Sequence, residues 1–365
     1  MDYAHRIDKL ARLLDDEKCE AMAFVPGPNF FYLTGVDLAL MERPTFLVVT
    51  SDARIHAMIP ALERDRWAAH MPQARTVYWQ DAEGYENAIG QLAAGLKVKA
   101  LAVEGNRMRQ FEAQALSRGF AFDVVDGTAI VKPLRLSKDP VEIEAIRHAI
   151  AVSEAALTAT LSQIGAGMSE TDIRARLVIE MLMRGADGPG FDPIVLVGGA
   201  AADCHGIPSA ERILKPGDAL LFDFGAKVDG YSADITRTFF CQHVSDAHRR
   251  FYDAVLEANR IGCSMVAPGV SANDLDKAVL AHFENAGYAA NIRHKLGHGL
   301  GLDIHEAPQL MVGNHEELAP GMVITIEPGL YEPGALGVRI EDDVLVTETG
   351  ASILTQLPRE LTFVG

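Results

Sequence analysis

Five residues able to ligate a metal ion, Asp223, Asp234, His298, Glu327 and Glu341, fall in or beside the β-rich, mostly apolar runs in the carboxyl-terminal part of this 365-residue chain. Any fold that gathers those runs gathers four carboxylates and an imidazole with them. Like charges at close range raise each other's pKa and oppose folding, so such a cluster is tolerable only with positive charge among its members. Divalent cations meet that requirement.

The clearest local signal is the stretch from Asp218 to Phe240, two β-rich runs flanking Asp229-Gly230. Asp-Gly is a preferred filling of a two-residue type I′ hairpin turn. With that turn in place Val228 faces Tyr231, Gly225 faces Asp234, and Asp223 faces Thr236. Opposed residues share a face, as do residues two apart on one strand, so Asp223, Asp234 and Thr236 are expected to point the same way. The two aspartates then form a diagonal pair roughly 7 Å apart at Cβ, a span that suits ions about 3.5 to 4 Å apart, as in two-metal hydrolytic sites. An ordinary surface hairpin with polar residues on its wet face gives the same pattern.

In His294-Lys-Leu-Gly-His-Gly-Leu-Gly-Leu-Asp-Ile-His-Glu-Ala-Pro308, glycines at 297, 299 and 301 allow close backbone approach around His298, and His305 follows seven residues later. Histidine serves as a metal ligand and as a general acid or base, although a lone one is often a hydrogen-bonded structural residue. Two in a glycine-punctuated loop favour a functional role. Glu327 ends the apolar run Met322-Val-Ile-Thr-Ile, and Glu341 interrupts Gly337-Val-Arg-Ile-Glu-Asp-Asp-Val-Leu-Val346. Glutamate is depleted from β-branched strands unless it has a partner.

Four motifs carry a resemblance: Asp-Phe-Gly with Asp-Ile-Thr-Arg-Thr eleven residues on, Gly-His-Gly-Leu-Gly-Leu-Asp-Ile-His-Glu, Ile-Glu-Pro-Gly, and Arg-Ile-Glu. They resemble those of the pita-bread metallopeptidases, the family of prolidase, aminopeptidase P and methionine aminopeptidase. The resemblance covers nearly the whole chain. Asn29-Phe-Phe-Tyr-Leu-Thr-Gly35 looks like the amino-terminal domain of the prolidase and creatinase branch, and Lys138-Asp-Pro-Val-Glu-Ile-Glu144 like the start of its catalytic domain. An α/β (α+β) fold is implied, with a smaller mixed α/β amino-terminal domain over residues 1–133 and a pita-bread catalytic domain over residues 138–365.

The same resemblance implies a di-metal hydrolase that cleaves the peptide bond before proline, as an Xaa-Pro dipeptidase or aminopeptidase, through attack by a hydroxide bridging two divalent ions. Asp223 and Asp234 would hold one ion, Asp234 and Glu341 would bridge, and His298 and Glu327 would complete the other. Glu327 would also take the proton of the attacking water and return it to the leaving nitrogen. His205, in Ala202-Asp-Cys-His-Gly-Ile-Pro208, and His305 would contact substrate and stabilise the oxyanion. Thr236 would hydrogen-bond a metal carboxylate, and Arg339, two residues before Glu341, would steer a carboxylate or the substrate. Carboxylates with one imidazole suit Mn²⁺, Co²⁺, Zn²⁺ or Fe²⁺, Mn²⁺ standing first. The short distance from Glu327 to Glu341 resembles the prolidase-type dipeptidases. Gln309, in contrast, stands where such relatives place a basic residue after the His-Glu-x-Pro stretch, which leaves room for longer peptides or a non-peptide amide. Two other readings stay open: a related-fold hydrolase of a non-peptide amide such as ectoine, and a catalytically silent binding protein. A homodimer is expected on the resemblance alone.

Composition narrows the partners. A net charge of −17 disfavours nucleic acid and anionic membranes, both of which would repel the chain. No apolar run approaches the ~20 residues of a membrane span. The amino terminus has no apolar signal region, and cysteines 19, 204, 241 and 263 form no Cys-x-x-Cys pair, so reduced thiols in the cytoplasm are expected. Short strand runs at 21–25, 46–50, 54–59, 100–103 and 123–125 alternate with helical patterns such as 2–17. Further on, Ser137 or Asp139 caps a helix running to about 164, Ser169 or Thr171 caps another, and two more cover 251–265 and 273–286.

Overall fold

The computed structural model describes residues 2–365, and the chain divides into two compact units, the first ending at Arg135 and the second spanning Leu136–Gly365. In the first unit a six-stranded sheet runs in the order Arg75–Trp79, Ile55–Pro60, Phe46–Thr50, Ala21–Phe24, Ala102–Val103, Val125–Asp126. Ala21–Phe24 pairs antiparallel with Phe46–Thr50 and parallel with Ala102–Val103, so the sheet is mixed. Every residue of Ala21–Phe24 and Phe46–Thr50 is buried. That is the signature of central strands covered on both faces. On one face Ala21, Ala23, Phe46 and Val48 pack with Ile89, Leu92, Leu96 and Leu116 from the helices Glu86–Leu96 and Gln110–Phe120.

The expected strands appear within a residue or two of their sequence limits at 21–24, 46–50, 55–60, 102–103 and 125–126. Two features depart from expectation. Arg75–Trp79 is a sixth strand, lying parallel to Ile55–Pro60 at the edge of the sheet. The family-like segment around Asn29 is the short helix Pro28–Thr34, ended by Gly35 in the left-handed region at φ 70°.

Two helix pairs frame the second unit: Pro140–Leu161 with Glu170–Met183, and Asp246–Met265 with Ala272–Asn285. Each start is written in the sequence as a side-chain cap. Asp139 accepts from Glu142 N at 2.9 Å while Glu142 accepts from Asp139 N at 3.0 Å, a reciprocal capping box with Pro140 at the first position. Ser169, Ser245 and Ser271 cap the other three. The third helix begins five residues before the expected Phe251, because the Ser245 cap starts a polar turn that carries no apolar period.

Against the helices lie a four-stranded sheet ordered Phe363–Val364, Ile235–Cys241, Ala219–Phe224, Ile194–Val197, and a five-stranded sheet ordered Glu306–Leu310, Gly297–Gly299, Val323–Ile326, Asp342–Val346, Ala351–Ile353. A small two-stranded sheet joins Gly329–Glu332 to Leu336–Arg339. The run from Gly337 to Val346, expected as one strand, is therefore two: it leaves one sheet at Arg339 and joins another at Asp342. Glu341 sits at that change of sheet, where its N–H donates to Thr236 O at 3.1 Å. Buried residues of the second helix pair, Val255, Leu275, Val279 and Phe283, share one core with Ile324, Ile326, Val338 and Val344 of these strands. Among the described residues no helix is long and apolar enough to cross a membrane.

Candidate metal centre

The Asp229-Gly230 turn forms with both residues at positive φ, 51° and 84°, the type I′ geometry. Val228 pairs with Tyr231 and Asp223 with Thr236, the register that the turn dictates. Asp223, Asp234 and Glu341 consequently offer carboxylate oxygens that all lie within 4.8 Å of one another, and so do His298, Glu327 and Glu341. Glu341 belongs to both groups. All five line one cavity of about 240 Å³, together with His205, His305 and Arg339. His305 lies over His298 with ring centroids 4.2 Å apart. His205 and His305 are exposed at the cavity wall, whereas Asp234, His298 and Glu341 are buried.

The strands around His298 fit only because glycines flank it. A Cβ on Gly297 would lie 2.1 Å from Thr325 O, and one on Gly299 would lie 2.1 Å from Ala307 O. His298 is held from both ends: its backbone N–H donates to Thr325 Oγ1 at 3.1 Å, and its Nδ1–H donates to Gly299 O at 3.0 Å. A carbonyl can only accept, so Nδ1 carries the proton and Nε2 carries a lone pair. That lone pair faces Glu327 Oε1 at 3.3 Å and Asp234 Oδ2 at 3.6 Å. Three electron-rich atoms turned on one another repel unless a cation stands among them, and an imidazole whose other nitrogen donates to a carbonyl is a metal ligand's usual posture.

Titration behaviour expresses the same conflict. Burial, then repulsion from Glu341 and Asp223, pushes the Asp234 carboxyl far above the ordinary carboxylate range. Burial and the charges of Glu327 and Asp223 do the same to Glu341. Burial lifts Glu327 to about 8 and drives His298 down to about 3. Asp223 Oδ1 is buried with no hydrogen-bond partner. An orphaned oxygen, a bare imidazole lone pair and three carboxyls pushed above their ordinary range make a donor set that fits hard or borderline divalent cations.

Thr236 donates to Glu341 Oε2 at 2.7 Å, so the metal-site carboxylate it serves is Glu341, not Asp223 opposite it. Arg339 is buried and reaches three acceptors: Asp223 Oδ2 at 2.5 Å, Thr236 Oγ1 at 3.0 Å and the Tyr331 hydroxyl at 2.7 Å. Arg237, from the Asp-Ile-Thr-Arg-Thr motif, donates to Glu341 O at 2.6 Å and pairs with Asp342 at 2.8 Å, fixing the chain where it changes sheet.

The motifs alone do not expose a relay beside the ligands. Tyr331 OH accepts from Arg339 and donates to His294 Nε2 at 2.7 Å, while His294 Nδ1–H donates to Lys295 O at 2.8 Å. Burial lowers His294 to about 4, which keeps it a neutral acceptor for Tyr331. The available signal was spacing: His294 stands four residues before His298, and Tyr331 is a polar-tipped residue four past Glu327. Lys295, Cys204, Phe191, Ile194 and Ile304 complete the cavity wall.

Comparison with known proteins agrees with this geometry. Residues 144–348 match the model of metallopeptidase family M24, and residues 6–137 match the creatinase/prolidase N-terminal domain. The chain is 32% identical to an Xaa-Pro dipeptidase of Pyrococcus furiosus over 98% of its length and 99% of that protein. It is similar to the crystal structure of a prolidase from Thermococcus sibiricus, with a TM-score of 0.94 and 31% identity over the full length of both chains. An X-Pro aminopeptidase from Thermotoga maritima is similar at a TM-score of 0.87 and 30% identity, over 98% of this chain and 99% of that one. The chain therefore belongs to metallopeptidase family M24, carrying a creatinase/prolidase N-terminal domain ahead of a pita-bread catalytic domain.

Proposed function

We propose that this protein hydrolyses the peptide bond before proline in small peptides, using two divalent ions. The observation that carries the reading is the His298 Nε2 lone pair facing Asp234 and Glu327 inside a cavity lined by the other ligand carboxylates. Asp223 and Asp234 would hold one ion, His298 and Glu327 the other, with Asp234 and Glu341 shared between them, an arrangement that the two carboxylate groupings meeting at Glu341 support. Bound there, such ions polarise a carbonyl oxygen and acidify water.

The chain's own residues do the rest. Glu327, deprotonated when it serves as a ligand, takes a proton from attacking water and returns it to the leaving nitrogen. His205 and His305, exposed on the wall, donate to the carbonyl oxygen as charge develops on it. Arg339 holds Asp223, and Thr236 holds Glu341, each in one orientation. Manganese as the working metal, a cytoplasmic location and a homodimer are further parts of the proposal. Four free cysteines, Cys19, Cys204, Cys241 and Cys263, support a reducing compartment.

The test is release of proline from Xaa-Pro dipeptides with and without added Mn²⁺, repeated for Asp234→Ala. Turnover is expected to require metal and to vanish in the variant, which should still melt cooperatively. A variant with wild-type rates would overturn the assignment. An ectoine assay run alongside distinguishes the non-peptide amide reading.

A further inference from the structure

We propose that Glu170, a residue that takes no part in the cavity wall, positions His205 for the reaction by holding both ends of the segment that carries it. The inference deepens the Xaa-Pro reading and rests on it.

Glu170 is the first residue of the helix Glu170–Met183, and it is fully buried. Its backbone N–H donates to Arg212 O at 3.2 Å, which sets where the side chain starts. A buried carboxylate is costly unless donors surround it, and here there are four. Oε1 accepts from Val197 N at 2.8 Å. Oε2 accepts from Ser209 N at 2.8 Å, from Arg212 Nε at 2.8 Å and from Arg212 Nη2 at 2.7 Å. Val197 ends the strand Ile194–Val197, and Ser209 follows the loop 198–208. One carboxylate thus ties the two ends of the loop that brings His205 to the cavity.

Between the ties the loop is held unevenly. Its first part, the turn Gly198–Ala202, packs closely on the neighbouring strands: a Cβ on Gly199 would lie 2.2 Å from Gly334 O, and one on Gly337 would lie 1.8 Å from Ala201 O. The second part carries local turns, in which His205 N–H donates to Asp203 Oδ1 at 3.3 Å and Gly206 N–H to Asp203 O at 3.1 Å. Such turns fix the shape of a segment and not its place. Its place follows from Gly206, which lies against Leu196, and from Ser209 and Arg212, which Glu170 holds; Arg212 Nη2 also donates to Ile207 O. A glutamine at 170 must turn its NH₂ toward either Val197 N–H or Ser209 N–H, so one end of the loop meets a donor where it needs an acceptor. The half that bears His205 then loses its anchor. None of the five candidate metal ligands lies on the loop, so metal binding is spared.

Manganese-loaded wild type, Glu170→Gln, His205→Ala and the double variant are assayed on Ala-Pro, with amide hydrogen exchange followed over residues 198–209. Glu170→Gln is expected to lower kcat by about 10 to 100-fold, the scale on which a misplaced group costs rate. It should also raise exchange in that segment and bind Mn²⁺ as tightly as wild type. The double variant should be no slower than His205→Ala, because a residue that acts through His205 has nothing left to act on. A merely structural role would multiply the two losses and weaken Mn²⁺ binding. Such multiplication overturns the inference, as does exchange over 198–209 equal to wild type or full activity in either single variant. Should Glu170→Gln fail to fold, Arg212→Met removes a half-exposed partner of the same carboxylate and carries the same comparison. A wild type that releases no proline overturns the Xaa-Pro reading itself, and the exchange comparison then decides the role of Glu170 separately.

Discussion

Arg339 shows how much of this site depends on one side chain with a fixed shape. Its three contacts run to a metal-site carboxylate, to the threonine that holds a second, and to the tyrosine that meets His294. A lysine at this position keeps the charge but is a single flexible point donor and cannot reach all three acceptors. Arg339→Lys is therefore expected to lower kcat/KM of the metal-loaded protein by about 10 to 100-fold, the usual cost of losing a ligand's orienting partner. Steady-state kinetics check this, and unchanged kinetics would assign Arg339 to stability alone. The five candidate ligands stood out in the sequence through a hairpin register, a glycine-punctuated histidine and two glutamates in apolar strands, and the structure brings all five to one cavity. Tyr331 and His294 did not stand out, because their pairing joins residues 37 apart that no local pattern links. Arg339, read from the sequence as steering a carboxylate, donates to Asp223, although the strand that carries it breaks before Glu341.

At the scale of elements, the hairpin and the glycine-rich strand behave differently under substitution. The hairpin register follows from one turn, since a type I′ turn at Asp229-Gly230 leaves only one pairing for Asp223 and Thr236. The sequence therefore sufficed to place Asp223 and Asp234, two candidate ligands, on one face. The strand Gly297–Gly299 is defined instead by its neighbours: Thr325 O and Ala307 O occupy the space a side chain would need. Gly297→Ala must push Val323–Ile326 away, and the Thr325 hydroxyl that holds His298 moves with it. The expected cost is about 1–3 kcal/mol of stability, seen as a lower melting temperature, together with weaker Mn²⁺ binding by titration. A variant that melts lower yet binds metal as tightly as wild type would show that the strand spacing does not position His298. Elements the sequence left unannounced share a cause. Arg75–Trp79 begins exposed and is only partly buried along most of its length, so it carries no buried run, and the break at Ile340-Glu341 is imposed by two sheets claiming opposite ends of one β-rich stretch.

For the whole molecule, the buried acids couple metal binding, folding and pH. Without metal, the folded protein holds Asp234 and Glu341 protonated far above their ordinary range and Glu327 up to about 8, whereas the unfolded chain loses those protons near 4. The folded state then binds more protons than the unfolded one, so these carboxyls make stability fall as pH rises. The two histidines act on the other side. His298 at about 3 and His294 at about 4 stay neutral in the fold while the unfolded chain takes up protons below about 6.5, so their contribution is lost as pH falls. Between about 7.5 and 8 the unfolded histidines have given up nearly all their protons, and the carboxyls dominate the slope. Metal-stripped protein is expected to lose melting temperature steadily across that window. Added Mn²⁺ should remove the decline or reverse it, because its ligands must be deprotonated to bind and its affinity therefore grows with pH. Thermal melts at half-unit pH intervals, with chelator and with excess Mn²⁺, separate the two curves. Parallel curves would mean that the cluster is relieved by something other than a cation, and the acids would then be a feature of the fold with no part in holding metal.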